Sequence, residues 1–251
     1  MDKATARAAV WTKLAQVAIP DSRFHLNFNE YIPDFAGNDL ATARLIELDA
    51  FQAAEVLFIT PDNCLERLRA ETVRAGKIQI MSTYGIRRGL IELRPDDVPP
   101  ALADYAVTLD LIEKFGRPIS LAELRQRYRL DMIVTGASAV NTAGVRFGKG
   151  HGFFDLEWAF LWQIGVVKPE TPVIAVVHDY QVVEVELATS PFDTLCDLVI
   201  TPTQTIRIES PQKPAHGILW DKLEPGMLAD IPPLQELKQL QETGQLAGLK
   251  G

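Results

Sequence analysis

Five short apolar runs, separated by helix-patterned segments, constrain the fold of this chain more than any other feature. They are Glu55–Thr60 (EVLFIT), Lys77–Met81 (KIQIM), Asp131–Thr135 (DMIVT), Pro172–Val177 and Asp197–Thr201. Runs this short and this continuously apolar read as strands buried on both faces. Between the first two, residues 63–75 carry a helical pattern ended by Gly76, which makes a β-α-β unit. The expected fold class is α/β: a mainly parallel central sheet with helices on both faces. In such sheets ligands sit beyond the carboxyl ends of the strands. The loop after Asp131–Thr135 is therefore the first place to look for a site.

The remaining segments fill in around this frame. Lys3–Ala18 has apolar residues at Ala6, Val10, Leu14 and Val17, the spacing of an amphipathic helix, and Pro20 closes it. Asn38 is expected to cap a second helix with the face Ala41, Leu45, Leu48 and Phe51. Residues 82–104, rich in Pro, Asp and Arg, read as an excursion from the core. Leu121–Tyr128 and about 152–164 read as helices, as does 233–242, which leads into a tail expected to fray from about 243. Glu66, Arg67, Arg69 and Glu71 look like a solvated helix face. No repeat or low-complexity segment divides the 251 residues, so a single domain over 1–251 is expected.

Charge narrows the partners. The chain carries 25 Lys and Arg against 33 Asp and Glu, a net charge of −8, and no basic run breaks that balance. A general polyanion binder needs a basic stripe, so the expectation is a small-molecule partner and no nucleic acid. The two cysteines, Cys64 and Cys196, lie far apart in no metal-ligand spacing, as in a reducing compartment. The first residues lack the apolar core of a secretory signal, and the longest strongly apolar stretch, Trp158–Val167, is far below spanning length. A cytoplasmic protein without a membrane partner is expected. Its oligomeric state is left open.

The glycine-rich segment Gly144-Val-Arg146-Phe-Gly148-Lys149-Gly150-His151-Gly152-Phe153-Phe154-Asp155 concentrates the chemistry. Alternating glycines let the backbone bend tightly and approach a ligand closely. Arg146, Lys149 and His151 offer positive charge, and the loop opens a helix whose amino end favours an anion. Asp155, in the first turn, is placed to hold a divalent cation against a phosphate. The spacing is neither Walker A nor the Rossmann fingerprint. On these residues alone the loop is either an anion site or a flexible turn with solvated cations.

Arg146-x-Gly148-x-Gly150-x-Gly152-aromatic-aromatic-Asp155 resembles the loop of the 5-formyltetrahydrofolate cyclo-ligase family. Lys3 and Arg7 match the Lys-x-x-x-Arg pair of its first helix. His178–Val182 looks like the segment that holds its glutamine, and Asp193, Asp197 and Thr201 resemble its Asp-x-x-x-Asp-x-x-x-Thr ending. Ile32–Phe35, Pro61-Asp62, Asp155-Leu156-Glu157-Trp158-Ala159 and Lys168–Pro172 are most similar to a divergent branch, the proteins with a methenyltetrahydrofolate synthetase domain. Animal members of that branch carry an RNA-binding domain after this region.

The resemblance implies a three-layer sandwich of sugar-isomerase/CoA-transferase type. It also implies an ATP- and Mg2+-dependent ligase that converts 5-formyltetrahydrofolate to 5,10-methenyltetrahydrofolate, releasing ADP and phosphate. Carried over by position, Lys3, Arg7, Arg146, Gly148, Lys149, Gly150, His151, Gly152 and Phe153 bind ATP. Arg146 and Lys149 serve catalysis, Phe153 and Phe154 meet the substrate, and Asp155 and Asp197 hold Mg2+. The substrate half departs from the family: Cys64 and Leu65 stand where a folate-contacting glutamate is expected, and the paired tyrosines are Phe153-Phe154. The alternatives are a divergent paralog that binds ATP but acts on a different substrate, thiamine-related compounds among them, or a non-catalytic nucleotide-binding protein.

Other polar residues carry bland readings beside sharp ones. His151 is a phosphate contact or a solvated side chain, and His178 a site residue or part of a turn. His25 and His216 have no partner evident in the sequence and read as structural. Arg87-Arg88 is a solvated pair or a contact for an acidic ligand tail. Trp158, Phe160 and Trp162 read as the core face of a buried helix.

Overall fold

The structure, a computed structural model, describes residues 3–246, and of Lys3 the backbone alone. All five apolar runs form strands, and they lie side by side. With β1 at Val56–Ile59, β2 at Ile78–Ser82, β3 at Leu90–Leu93, β4 at Arg117–Ile119 and β5 at Met132–Thr135, the chain builds one half of the main sheet. β8 (Val173–Val176), β10 (Leu198–Ile200) and β11 (Thr205–Arg207) complete it, in the order β11-β10-β8-β5-β1-β2-β3-β4. The central five strands, β10 to β2, pair in parallel, and antiparallel strands close both edges.

Alternation along each strand divides the core into two layers. Phe58, Ile133, Ala175 and Val199 face helices Leu121–Arg127, Phe153–Gln163 and Pro232–Glu242. Leu57, Ile59, Val134, Val176 and Ile200 face helices Asn38–Ile46, Asp49–Ala53 and Glu66–Arg74. The expected α/β architecture with helices on both faces is what the chain forms. Among the described residues no helix is long and apolar enough to cross a membrane.

Several boundaries differ from expectation, each for a local reason. The first helix ends at Leu14 rather than Ala18, because Ala18 leaves to pair with Phe35 in an antiparallel bridge. The second helix is broken in two at Glu47-Leu48. Its cap is Gly37, in the left-handed region at φ 83°, while the buried Asn38 side chain ties Asp34 to the Cys64 carbonyl. The supposed excursion at 82–104 contains β3, a fully buried strand of the main sheet. Glu92, 0% exposed in its centre, is the reason this run did not read as a strand. Arg127 grips that carboxylate with two bonds of 2.8 Å, and Arg117 and the Tyr128 hydroxyl complete its partners. A buried charge is tolerable when it is this fully paired.

A second, three-stranded sheet sits beyond β5: β6 (Ala139–Asn141), β7 (Arg146–Phe147) and β9 (Val182–Val183), in the order β7-β6-β9. The first helix packs on it through Ala6 and Val10, against Ala139, Val145 and Phe147. This packing carries the amino-terminal helix to the glycine-rich loop.

Candidate active site

β1 and β5 are neighbours, and the next strand of the main sheet lies on opposite sides for the two: β2 after β1, and β8 after β5. The crevice outside the carboxyl ends of strands that part in this way is where such sheets bind ligands. Here it is a cavity. Thr60 after β1, Ser82 at the end of β2, and Thr135 and Gly136 at the end of β5 form its floor, and the loop 146–152 forms one wall.

Positive charge gathers on the loop wall. Arg7 neighbours Ala6 on the packed side of the first helix, and its Nε donates to the Gly148 carbonyl at 3.0 Å. Arg146 is 4% exposed at the side chain; it reaches Asp155 at 3.1 Å and lies over the Phe154 ring at 3.9 Å. Its Nε has no hydrogen-bond partner among the described residues, and neither has the buried Thr194 hydroxyl. Lys149 turns across the cavity, donating to the Glu30 carbonyl at 3.0 Å with its ammonium 4.9 Å from the centre of the Tyr84 ring. Burial lowers its pKa, against the pull of Asp62, Glu30 and Glu157.

Gly150 (φ 118°) and Gly152 (φ 66°) hold backbone conformations that side chains rarely adopt. Gly152 stands at the cap position of helix Phe153–Gln163 and, having no side chain, makes no capping hydrogen bond to it. Asp155 accepts the Thr194 N–H at 2.9 Å, and Asp193, 8% exposed, lies on the cavity wall with it. His151 is exposed at the mouth, its ring 5.4 Å from that of Phe153, while Phe154 is buried under Arg146.

Two further acidic groups line the same cavity. Asp62 Oδ2 accepts from the Thr60 hydroxyl at 2.5 Å and the Gly136 N–H at 2.9 Å, tying the ends of β1 and β5 together. Glu157, 3% exposed, accepts a hydrogen bond from the Ser82 hydroxyl. Burial, with the charges of Asp62 and Asp155 adding to it, pushes the Glu157 carboxyl up to about 8, and Ser82 and Arg146 oppose the shift. Below these groups lies Arg69, 0% exposed, which donates to the carbonyls of Thr60 (2.9 Å), Asp62 (3.0 Å) and Val107 (2.9 Å). Arg69 was expected on a solvated face. It is instead the strut that holds the turn carrying Asp62.

Other expected residues fall elsewhere. The Lys3 side chain lies outside the described residues. Asp197 does not join Asp155: it stands before β10, at the end of the strands opposite the cavity. There it accepts the Val173 N–H at 2.7 Å and pairs with Lys213 at 2.6 Å. Asp131 does the same before β5, accepting the N–H groups of Glu55 and Val56. Both carboxylates close strand beginnings, so the structure does not assemble the pair expected to hold Mg2+; Asp193 lines the cavity in its stead. Among the described residues no cluster of three or more potential metal ligands occurs.

Cys64 and Leu65 are buried in the core, and burial pushes the Cys64 thiol well above its ordinary range. His178 belongs to a turn, its Nδ1 accepting the Tyr180 N–H at 3.0 Å, and Gln181 donates to the Ala137 carbonyl. Arg88 is paired with Glu113 and Arg87 with Asp230. His216 lines a second, more apolar cavity behind the loop, shared with Gly150, Gly152 and Met227.

The family resemblance gives Asp62 and Glu157 no site role. Two signals mark them: Asp62 closely follows the carboxyl end of a parallel strand, and Glu157 is a charge inside the otherwise apolar helical run Leu156–Trp162. We expect Arg69→Met, which keeps length and removes the donors, to cost about 3 kcal/mol of stability by urea unfolding. A loss below about 1 kcal/mol would contradict the strut.

A profile of the 5-formyltetrahydrofolate cyclo-ligase family matches residues 2–202. The chain is 30% identical to the methenyltetrahydrofolate synthase domain-containing protein of Homo sapiens over 255 aligned positions, and 33% identical to that of Danio rerio over 223. These alignments cover 100% and 87% of this chain, which spans 65% and 58% of the relatives' lengths. The NMR structure of Aquifex aeolicus 5,10-methenyltetrahydrofolate synthetase shares the fold, with a TM-score of 0.50 and 15% identity over 82% of this chain and 93% of that one. On the match over residues 2–202, the chain belongs to the 5-formyltetrahydrofolate cyclo-ligase family.

Proposed function

We propose that the chain is a cytoplasmic, ATP- and Mg2+-dependent ligase that closes 5-formyltetrahydrofolate to 5,10-methenyltetrahydrofolate with release of ADP and phosphate. The observation that carries this reading is one cavity wall in a chain of this family. On it, Arg7, Arg146 and Lys149 converge with a left-handed glycine loop and an uncapped helix amino end.

The residues present suit a triphosphate. Backbone N–H groups at 150–154 and the guanidinium of Arg146, with its unsatisfied Nε, are oriented donors for phosphate oxygens. Arg7 reaches the same loop from the first helix, where Lys3 is the remaining cation expected by resemblance. Lys149, tethered among the described residues through a backbone carbonyl and a ring face, would turn toward charge developing on the transferred phosphoryl group. His151 and Phe153 would flank the nucleotide, and Phe153 and Phe154 would offer ring faces to the substrate.

Two carboxylates also suit Mg2+, which is usually held by one or two of them together with substrate phosphates. Asp155 and Asp193 are the pair that the cavity offers. When bound, the ion supplies neutralisation of phosphate charge. The chain's own part is to fix those carboxylates, which Arg146 and the Thr194 N–H do for Asp155 and the Ser190 N–H (2.8 Å) does for Asp193.

A second reading keeps the ATP site and changes the heterocycle. The burial of Cys64 and Leu65, where resemblance expects an acid on folate, favours it. Absorbance of methenyltetrahydrofolate, followed with ATP, Mg2+ and 5-formyltetrahydrofolate, separates the two. Its appearance supports the folate reading, and its absence from folded, ATP-binding protein contradicts it. ADP release with thiamine-related heterocycles would then support the second. We further expect Lys149→Ala and Asp155→Asn each to weaken MgATP binding by about tenfold or more, the worth of a charge-assisted contact, with the fold intact by circular dichroism. Unchanged affinity by calorimetry in both variants would contradict the assignment of this wall to nucleotide.

A further inference from the structure

The carboxylates of this protein that serve the fold are fully partnered. Glu92 has two arginines and a tyrosine, Asp131 has two backbone N–H groups, and Asp197 has an N–H and a lysine. Glu157 is buried like Glu92, whereas Asp131 is exposed and Asp197 half-buried, and it differs from all three in its partners. Among the described residues its one hydrogen-bond partner is the Ser82 hydroxyl, and no lysine or arginine lies within ion-pair distance. Its second oxygen has no partner there and opens onto the cavity. Asp62, on the same cavity, spends Oδ2 on Thr60 and Gly136, and Oδ1 makes no hydrogen bond among the described residues.

Burying a carboxyl is expensive, and apart from the bond from Ser82, which ties its helix to the end of β2, this one joins no strands, caps no helix and pairs no cation. A ligand that brings hydrogen-bond donors into the cavity would supply the partners the fold does not. The cations on the loop wall complement phosphate, so the donors belong to another part of what the cavity holds. Tyr31 and Tyr84 add aromatic surface to the same cavity, which suits a flat ring.

We propose that Glu157, backed by Asp62, reads the donor edge of an amino-substituted nitrogen heterocycle, where a ring N–H lies beside an exocyclic amino group, and so sets the substrate specificity of this cavity. Two carboxyl oxygens, one from Glu157 and one from Asp62, match such an edge by accepting its two N–H groups. The proposal deepens the folate reading and rests on it for the placement of nucleotide and substrate in one cavity. Ser82 positions the carboxyl by holding one oxygen, and the ring meets the other and Asp62.

The test compares two pteridines that differ at the proposed edge: pterin (2-amino-4-oxo) and lumazine (2,4-dioxo), which lacks the amino donors. Binding of each, and of MgATP, is measured by calorimetry for the wild type, Glu157→Gln and Glu157→Leu, with cyclo-ligase turnover followed on the same samples. The wild type is expected to prefer pterin by about tenfold or more, since a site built to bond a donor rejects the analogue lacking it. Both variants are expected to bring the ratio to within about twofold while MgATP affinity holds.

No preference in the wild type, or the same preference in Glu157→Gln, overturns the inference. The near-isosteric glutamine carries the test should the leucine variant misfold. Turnover separates this inference from the reading beneath it. A Glu157-dependent preference without turnover upholds the heterocycle site and contradicts the folate ligase. Turnover with an unchanged KM in Glu157→Gln upholds the ligase and contradicts the role of Glu157.

Discussion

Everything at the site depends on how the ends of β1 and β5 are held apart and yet joined. The two strands pair in parallel, and beyond their carboxyl ends the chain turns to opposite sides of the sheet. The Asp62 carboxylate bridges the gap by accepting the Gly136 N–H, and the wholly buried Arg69 braces the turn from beneath through the Thr60 and Asp62 carbonyls. Gly136 has no room for a side chain: a Cβ there would sit 2.8 Å from the Cys64 sulfur and 3.1 Å from Asp62 Oδ2. Cys64 is thus packing material for the crevice. That is a physical reason for a small, buried, unreactive residue at this position.

The cavity that results holds groups of both signs. Its loop wall is built from two separate pieces of chain, the first helix and the continuous segment from β7 into the start of helix Phe153–Gln163, and it collects cations in a protein of net charge −8. Its floor collects two carboxyls, one of them nearly without partners. In the proposed function, the cations would hold phosphates and the buried carboxyls an N–H-bearing ring, the kind of electrostatic preorganisation on which phosphoryl transfer depends.

Much of this was legible in the sequence, and what escaped did so for identifiable reasons. β1, β2, β5, β8 and β10 were readable because strands buried on both faces are continuously apolar. β3 was not, because Glu92 is neutralised by Arg117 and Arg127, partners that only the folded chain brings close. The glycine loop declared itself through spacing. Asp197 misled because a motif records separation along the chain and not which end of a strand a residue occupies. Arg69 looked solvated because helical periodicity shows that a residue shares a face and not what covers that face. Glu157 stood inside an apolar helix, and its meaning needed the cavity to be seen.

The most direct test of this account is the structure of the protein soaked with ATP, Mg2+ and 5-formyltetrahydrofolate. The account predicts triphosphate density along Gly148–Gly152 beside Arg146 and Lys149, with the metal between Asp155 and Asp193. It also predicts the pterin ring in hydrogen-bond contact with Glu157 in the same cavity. Nucleotide density elsewhere, or a ring bound away from Glu157 and Asp62, would contradict it.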